Sequence, residues 1–294
     1  MPVDWTNKEF AEKYGPAEAM TGPFGRHLLT QCGIDRADGS EDIVLLDNAT
    51  GTGIVLVHLY DVVPPAAKAR LQVVAGDISA AMIEFAKARI EKNGWQGITA
   101  QVVDATKMDL PSDHFTHVVT NFALVGIPDP RAALREVRRV LRPSGTAAFS
   151  IWRSVGWYDV VRAAVESIPN APRYPAFEEI AKAMLKDQES GDEAAWTSPA
   201  YFEAQFREAG FEDVKTVQHK NQTRYGSAEE YVKVFTPMTN LVLPKMWTAD
   251  ERVNVEQNMV GAVLGELKRR FGDGEIVLDW EAYCVTAKVP ATKA

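Results

Sequence analysis

Three aspartates, each preceded by an apolar run of β-strand length, are the side chains best placed to do chemistry. They are Asp47, Asp77 and Asp104, after runs at 43–46, 71–75 and 98–103. Because ligands of parallel α/β sheets bind beyond the carboxyl ends of the strands, we expect these carboxylates to share one crevice. Asp77 would accept hydrogen bonds from both hydroxyls of a ribose, and Asp104 would meet the exocyclic amine of an adenine. Taken singly, each has the alternative of being a helix cap or a solvated loop residue.

A short glycine loop follows the first of these aspartates. Gly51 and Gly53 match the first two glycines of a dinucleotide fingerprint, but Leu56 occupies the third position. No Lys-Ser or Lys-Thr pair follows, so the loop is not a P-loop. The carboxylate of Asp47 suits a cationic ligand better than a pyrophosphate. S-adenosylmethionine (SAM), with its α-ammonium and sulfonium, is therefore a candidate, and the alternative is a glycine-rich turn of any α/β protein.

Composition restricts the partners and the location. The 294 residues are 46% hydrophobic and carry a net charge of −8 with a pI near 5.3, which argues against a nucleic-acid or anionic-membrane partner. No run reaches the roughly 18 apolar residues of a membrane helix, and no signal-peptide pattern begins the chain. Cys32 and Cys284 have neither metal nor redox spacing. We expect a cytoplasmic protein, a monomer or weak homodimer, that binds no metal, nucleic acid or membrane.

Alternating strand and helix patterns must position the three aspartates. Five such alternations lie between residues 43 and 152, which predicts a doubly wound, mostly parallel α/β sheet. Ser79 is a good N-cap, as is Asp129 with Pro130 behind it. The apolar stripe predicted for the helix after Ser79 is Met82, Phe85, Ala86 and Ile90.

The rest of the chain is predicted as parts of a single domain. Residues 1–40 would form an N-terminal helical cover, 41–152 the ligand-binding α/β core, and 153–294 a helical lid with the last strands of the same sheet. Gly22-Pro23 is expected to break the N-terminal helical region. The helix after Asp129 would end at 143–145, with strands at 146–152, 211–217 and 281–289. Helical segments are predicted up to residue 189, at 227–235 and at 248–271.

Taken together, the motifs resemble those of a known family. The segments 46–53 (LDNATGTG), 76–79 (GDIS), 104–105 (DA) and 141–146 (LRPSGT) resemble the ordered motifs of class I SAM-dependent methyltransferases. The segments 114–118 (HFTHV), 163–169 (AAVESIP) and 243–248 (LPKMWT), with Trp152, look like the fungal small-molecule branch that includes the gliotoxin bis-thiomethyltransferase and related N-methyltransferases. The resemblance implies a Rossmann-like sheet of seven strands. The chain departs from the family at 48–51 (NATG), which leaves fewer glycines than the commoner pattern.

The resemblance also implies roles for individual residues. The methionyl end of SAM would face Asp47, Asn48, Ala49, Gly51 and Gly53, with Tyr14 closing over it. Asp77 would hold the ribose, Ile78 and Met82 would pack near the adenine, and Asp104 and Ala105 would meet its edge. Asn121 and Phe122 would lie beside the reacting methyl and position the reactants. Phe122, Trp152 and Trp157 are candidates for binding the acceptor, the alternative being that they only fill the core.

The function predicted is methyl transfer from SAM to a thiol, amine or hydroxyl of a small secondary metabolite, with S-adenosylhomocysteine as product. No convincing general base is visible, because His117 lies within a predicted strand and His58 and His219 have no visible partners. A thiol or amine acceptor is therefore favoured over a hydroxyl. Two alternatives remain: a methyltransferase-like protein that uses SAM otherwise, such as a cyclase, and a non-catalytic adenosyl-ligand binder.

Overall fold

The computed structural model describes residues 15–184, 196–234 and 247–292. Tyr14, the end of the helical segment predicted up to residue 189, and residues 243–246 of the family motif lie outside the described residues.

A sheet of seven strands organises the chain. The strands are β1 (Ile43–Asn48), β2 (Leu71–Asp77), β3 (Ile98–Val102), β4 (Phe115–Asn121), β5 (Leu141–Ser154), β6 (Glu212–Tyr225) and β7 (Ile276–Lys288), in the order β3-β2-β1-β4-β5-β7-β6. The pairs β3-β2, β2-β1, β1-β4 and β4-β5 are parallel. The last strand runs against β5, because Ser144 and Gly145 bond to Val289 whereas Arg153 pairs with Glu281. The predicted fold class, a mostly parallel Rossmann-like sheet, is confirmed.

Helices connect and cover these strands. They are α1 (Glu18–Gln31), α2 (Ile54–Val62), α3 (Pro65–Lys68), α4 (Ala80–Asn93), α5 (Pro130–Val140), α6 (Tyr158–Glu166), α7 (Phe177–Met184), α8 (Pro199–Glu208) and α9 (Ala249–Phe271), with residues 228–234 also helical. The predicted N-caps are confirmed: the side chain of Ser79 accepts from Met82 N–H, and that of Asp129 accepts from Ala132 N–H. The cap at Ser79 places the N-terminus of α4 directly after β2, whereas a short 3-10 turn at 124–126 separates β4 from the cap at Asp129.

The predicted break at Gly22-Pro23 is wrong, because Pro23 lies inside α1. An interior proline costs about 3 kcal/mol, but full burial of one large apolar side chain contributes about 1.5–3 kcal/mol. Phe24, Leu28 and Leu29 are all completely buried on this helix and outweigh that cost. Gly22 serves close packing instead, since a Cβ there would lie 2.8 Å from the Nε2 atom of His58.

Two further details differ from the sequence prediction. Phe85 is 39% exposed, because α4 buries Met82, Ile83 and Ala86 and turns Phe85 away from the core. The helix after Asp129 ends at Val140, and β5 begins at once rather than at residue 146. Pairing of residues 144 and 145 with Val289 draws this segment into the sheet. Strands β6 and β7 are likewise longer than predicted.

The chain divides into two compact units. The larger unit takes in Asp4–Trp152, Ala195–His219 and Ala282–Ala294, and the smaller unit takes in Met1–Val3, Arg153–Ala194 and Lys220–Glu281, each as far as its residues are described. The core of the larger unit includes the fully buried Leu45, Leu46, Val118 and Val119 on β1 and β4. The smaller unit buries Tyr174, Tyr231 and Trp280. All three predicted aspartates belong to the larger unit.

Candidate functional site

The glycine loop between β1 and α2 has the backbone of a tight turn. The φ angles of Ala49, Gly51 and Gly53 are 58°, 55° and 83°, in the left-handed region that L-residues other than glycine seldom adopt. A Cβ on Gly53 would also lie 3.2 Å from the Cδ1 atom of Leu56. The glycine at position 53 is therefore needed both for its conformation and for its packing.

Asp47 is completely buried at the carboxyl end of β1. Its Oδ2 atom accepts a hydrogen bond of 2.5 Å from the hydroxyl of Thr50. Its Oδ1 atom is buried and has no hydrogen-bond partner among the described residues. Burial, together with the nearby charge of Asp77, raises the pKa of Asp47 to about 7. A buried acceptor without a donor is costly, so this oxygen is suited to a cationic group brought by a ligand.

Asp77, at the end of β2, braces the same loop. Its Oδ2 atom accepts from Gly51 N–H and its Oδ1 atom from Ser79 N–H, both at 2.9 Å. The side chain is buried, and burial raises its pKa. A carboxylate has about four lone-pair sites, so two remain for ligand hydroxyl groups. The structure thus brings Asp77 and the glycine loop together, as the sequence predicted, and adds a direct bond between them.

The third aspartate lies just past the end of β3. Asp104 is exposed, and its Oδ1 atom accepts from the N–H and hydroxyl of Thr106 at 2.8 and 2.7 Å. The neighbouring apolar candidates divide into two kinds. Ile78 is 50% exposed and offers a contact surface, whereas Met82 and Ala105 are buried in the core. Asp104 thus stands at the expected strand end, with its local turn already hydrogen-bonded.

Asn121 and Phe122, at the end of β4, are held by Ser150 of β5. The hydroxyl of Ser150 donates to Asn121 Oδ1 at 2.7 Å and accepts from Phe122 N–H at 2.9 Å. Asn121 Nδ2 donates to the carbonyl oxygen of Thr21 on α1 at 3.2 Å. Phe122 has a φ of 58°, which is unfavourable for a bulky residue. Strained backbone of this kind persists where its surroundings fix it, and it is concentrated at functional sites.

An aromatic cluster, defined here as Phe24, Phe122 and Trp152, lies at this strand end. The rings of Phe122 and Trp152 stack with centroids 3.7 Å apart and planes 13° apart. Phe24 of α1 meets both edge-on, at 5.4 and 5.6 Å. Phe24 is completely buried, whereas the stacked rings of Phe122 and Trp152 are partly exposed. Trp157 belongs to the smaller unit and is buried there.

Several residues at this site were not predicted from the sequence as site residues. Thr50 and Ser150 fix Asp47 and Asn121 through their hydroxyls. Two residues of α1 also reach the site: Phe24 packs edge-on against Phe122 and Trp152, and Glu18 accepts a hydrogen bond from the hydroxyl of Thr52 in the glycine loop. No sequence spacing signals these contacts, since Glu18 and Ser150 come from elements far from the loop along the chain.

The histidines are mostly accounted for by packing. His117 is bonded to the hydroxyl of Thr116 at 2.8 Å, and burial lowers its pKa to about 4. His219 does have a partner: its ring stacks on that of His27 with centroids 3.9 Å apart, and burial lowers the pKa of both. Among the described residues, no group of three or more His, Cys, Asp or Glu side chains is arranged to hold a metal ion.

Comparison with known proteins supports a common family. Residues 46–149 match the family model described as "Methyltransferase domain". The methyltransferase tpcH of Aspergillus fumigatus is 30% identical over 286 residues, covering 96% of this chain and 97% of that protein. The acetylaranotin bis-thiomethyltransferase of Aspergillus terreus is 29% identical, covering 97% of this chain and 96% of that protein.

Solved structures share the fold. Phosphoethanolamine N-methyltransferase 2 of Haemonchus contortus superposes with a TM-score of 0.56 at 14% identity, covering 98% of this chain and 58% of that one. At this identity the likeness concerns the fold alone. In the described part of the chain, no helix has the length and apolar character needed to cross a membrane.

Proposed function

Since this chain belongs to the class I SAM-dependent methyltransferases, in their fungal small-molecule branch, we propose that it methylates a thiol, amine or hydroxyl of a small secondary metabolite, a thiol or amine being favoured. The observation that carries the proposal is the buried, unpartnered Oδ1 atom of Asp47 beside a glycine loop that Asp77 braces. The protein is an enzyme of the methyltransferase class, and SAM is its cofactor.

The acceptors and apolar side chains at the strand ends suit both the methionyl and the adenosyl end of SAM. Asp47 Oδ1 offers an acceptor for the α-ammonium, and the partly exposed Gly51 has no side chain that would keep a ligand from the loop backbone. The lone pairs that remain on Asp77 suit the ribose hydroxyls, and the exposed side chain of Ile78 suits one face of the adenine. We assign Asn48 and Ala49 to the methionyl end and Asp104 to the adenine edge. Met82 and Ala105 support this region from the core.

The chemistry that SAM supplies is a methyl group activated by a sulfonium. The protein's share is to align the acceptor with that methyl and to exclude water. Positioning of this kind can contribute about 7–11 kcal/mol. Asn121 and Phe122 are fixed from behind by Ser150, which gives them the rigidity that alignment requires. Aromatic faces next to a cation add about 0.5–2 kcal/mol.

The partly exposed rings of Phe122 and Trp152 offer an apolar surface, which supports an acceptor with an apolar ring. Stacking on such a surface favours flat ligands, while polar groups fix their orientation. A thiol has an ordinary pKa of about 8.5 and needs no strong base near neutral pH, whereas a hydroxyl does. One curated relative is a bis-thiomethyltransferase by name, which supports a thiol. We assign Phe122 and Trp152 to acceptor binding and leave Trp157, buried in the smaller unit, with a structural role.

The decisive experiment is a transfer assay. Purified protein is incubated with SAM and a panel of aryl and heteroaryl thiols, amines and phenols, and mass spectrometry detects products in which a methyl replaces one hydrogen. The same mixture without protein is the negative control. S-adenosylhomocysteine without a methylated product would indicate hydrolysis of SAM. Cofactor binding without any product would favour a cyclase or a non-catalytic binder over our proposal.

We also propose that the protein acts in the cytoplasm, as a monomer or weak homodimer without a nucleic-acid or membrane partner. The net charge of −8 supports the absence of polyanionic partners. Size-exclusion chromatography with light scattering tests the oligomeric state. A shift in the electrophoretic mobility of DNA or RNA on addition of the protein would contradict the absence of a nucleic-acid partner.

A further inference from the structure

Helix α1 contacts both ends of the proposed site. Near its start, Glu18 bonds to the glycine loop through Thr52. One turn later, the carbonyl oxygen of Thr21 accepts from Asn121, and a further turn along, Phe24 packs against Phe122 and Trp152. A single rigid element therefore joins the loop proposed for the cofactor to the surface proposed for the acceptor.

The contact at the loop is an ion pair supported by a hydrogen bond. Arg89 of α4 donates from Nη2 to both carboxylate oxygens of Glu18, at 2.8 and 3.1 Å. The side chains of Arg89 and Glu18 are 25% and 19% exposed, so both charges are largely withdrawn from water. Such charges depend on their partners, because losing one partner leaves the other poorly solvated. Arg89 Nη1 is buried and has no partner among the described residues, so the guanidinium is held through its bonds to Glu18.

Arg89 also packs against the loop itself. A Cβ at Gly53 would lie 3.7 Å from the Cδ atom of Arg89. The loop is thus held on one side by Asp77 through Gly51 N–H, and on the other by the Glu18–Arg89 pair through Thr52. A displacement of the loop on ligand binding would be passed to Glu18, and from there along α1 to Asn121 and the aromatic cluster.

From this arrangement, and resting on the proposed function, we infer that Glu18 and Arg89 are positioning residues that couple the cofactor loop to the acceptor surface through α1. Binding of the adenosyl ligand fixes Thr52, which fixes the start of α1, and the helix then holds Asn121 and Phe24 in place. The coupling is reciprocal, so the acceptor surface also influences affinity for the cofactor.

The test uses S-adenosylhomocysteine as the probe, with calorimetry and hydrogen exchange read by mass spectrometry. In the wild-type protein, the ligand should slow amide exchange both in residues 47–53 and in α1. In Glu18→Gln, which keeps the shape of the side chain, the ligand should bind about 5- to 10-fold more weakly, the lower part of the range for coupled sites. Protection of residues 47–53 should persist in this variant, while ligand-induced protection of α1 is lost.

Matched variants separate coupling from a general loss of stability. Arg89→Lys should retain part of the coupling, because lysine keeps the positive charge beside Glu18. Arg89→Met removes that charge and should abolish the coupling. Thr52→Val removes the hydroxyl donor alone, and it decides the question if a charge variant fails to fold. The control is Glu84→Gln, which breaks an exposed ion pair with Lys87 on the same helix α4 and should behave like the wild type.

The outcomes are distinct. If Glu18→Gln and Thr52→Val bind the probe as the wild type does and still transmit protection to α1, the coupling is refuted while the proposed function stands. The coupling would also be refuted if these variants had a lowered melting temperature but the ligand still protected α1 as in the wild type. That result would indicate a purely structural role for the two residues. If the wild-type protein fails to bind the probe at all, both the coupling and the proposed function are overturned.

Discussion

The variant Asp47→Asn isolates the buried carboxyl group at the end of β1. In the fold the pKa of Asp47 is about 7, above the ordinary value of 3.8, because the group is completely buried. Between these two values the folded protein keeps a proton that the unfolded chain has lost. The stability from this group is therefore complete below pH 3.8 and is lost as the pH rises through about 7. At 1.36 kcal/mol per pH unit, the difference amounts to about 4 kcal/mol.

We expect the free energy of unfolding of the ligand-free wild-type protein to fall relative to Asp47→Asn by up to about 4 kcal/mol between pH 4 and pH 8. Asparagine has almost the same shape, and its amide can donate to the hydroxyl of Thr50, so the substitution removes the titration with little change in packing. Urea denaturation of both proteins at each pH measures the difference. The control is Asp61→Asn, at an exposed position of α2. Because this variant keeps Asp47, its free energy of unfolding should have the same pH dependence as that of the wild type.

Ligand binding adds a second measurement on the same group. An ammonium beside Asp47 Oδ1 favours the ionised carboxylate, so binding of S-adenosylhomocysteine near pH 6 should release most of a proton. Calorimetry in buffers of different ionisation enthalpy detects this release, and Asp47→Asn should lack it. Parallel stability curves for the two proteins across this pH range, together with equal proton release, would refute our account of the buried carboxyl.

Substitutions at three further positions, Asp77, Trp152 and Gly53, test the rest of the site. Asp77→Ala should weaken S-adenosylhomocysteine binding by about 1.5–3 kcal/mol, the range for bonds to a charged group, and an unchanged calorimetric Kd would remove the ribose assignment. Trp152→Ala should raise the acceptor KM about tenfold with little effect on cofactor affinity, while Trp152→Phe should keep most of the stacking; equal KM values for both would count against an aromatic platform. Gly53→Ala should lower the free energy of unfolding by about 1–2 kcal/mol, because its φ of 83° is strained for alanine. Gly261→Ala, inside α9 with open space around the added methyl, should instead stabilise by about 0.5–1 kcal/mol in the same urea titration.

The sequence alone determined the strands, the helix caps and the residues at the strand ends. The alternation of apolar runs and amphipathic segments predicted the parallel strands, and Ser79 and Asp129 marked two helix starts correctly. The placement of Asp47, Asp77 and Asp104 at strand ends follows from the same pattern. This is possible because strand and helix periods, caps and the shared polarity of parallel strands are encoded within a few neighbouring residues.

The tertiary structure decided which side chains are buried and which meet. Pro23 is accommodated in a helix because Phe24 and its neighbours are buried, and Phe85 is exposed because α4 turns it away from the core. Trp152, which the sequence suggested for the acceptor, stacks with Phe122 in the larger unit, and Trp157 is buried in the smaller unit. These outcomes depend on contacts between elements that no local period describes.

The same holds for the electrostatics of the site. Asp47 has a raised pKa because the fold removes it from water, and Glu18 reaches Arg89 and Thr52 only once α1, α4 and the glycine loop are packed together. Burial and partnership between residues distant in sequence are properties of the packed state. The sequence therefore determined which chemical groups stand at the site, and the tertiary structure determined their ionisation and their partners.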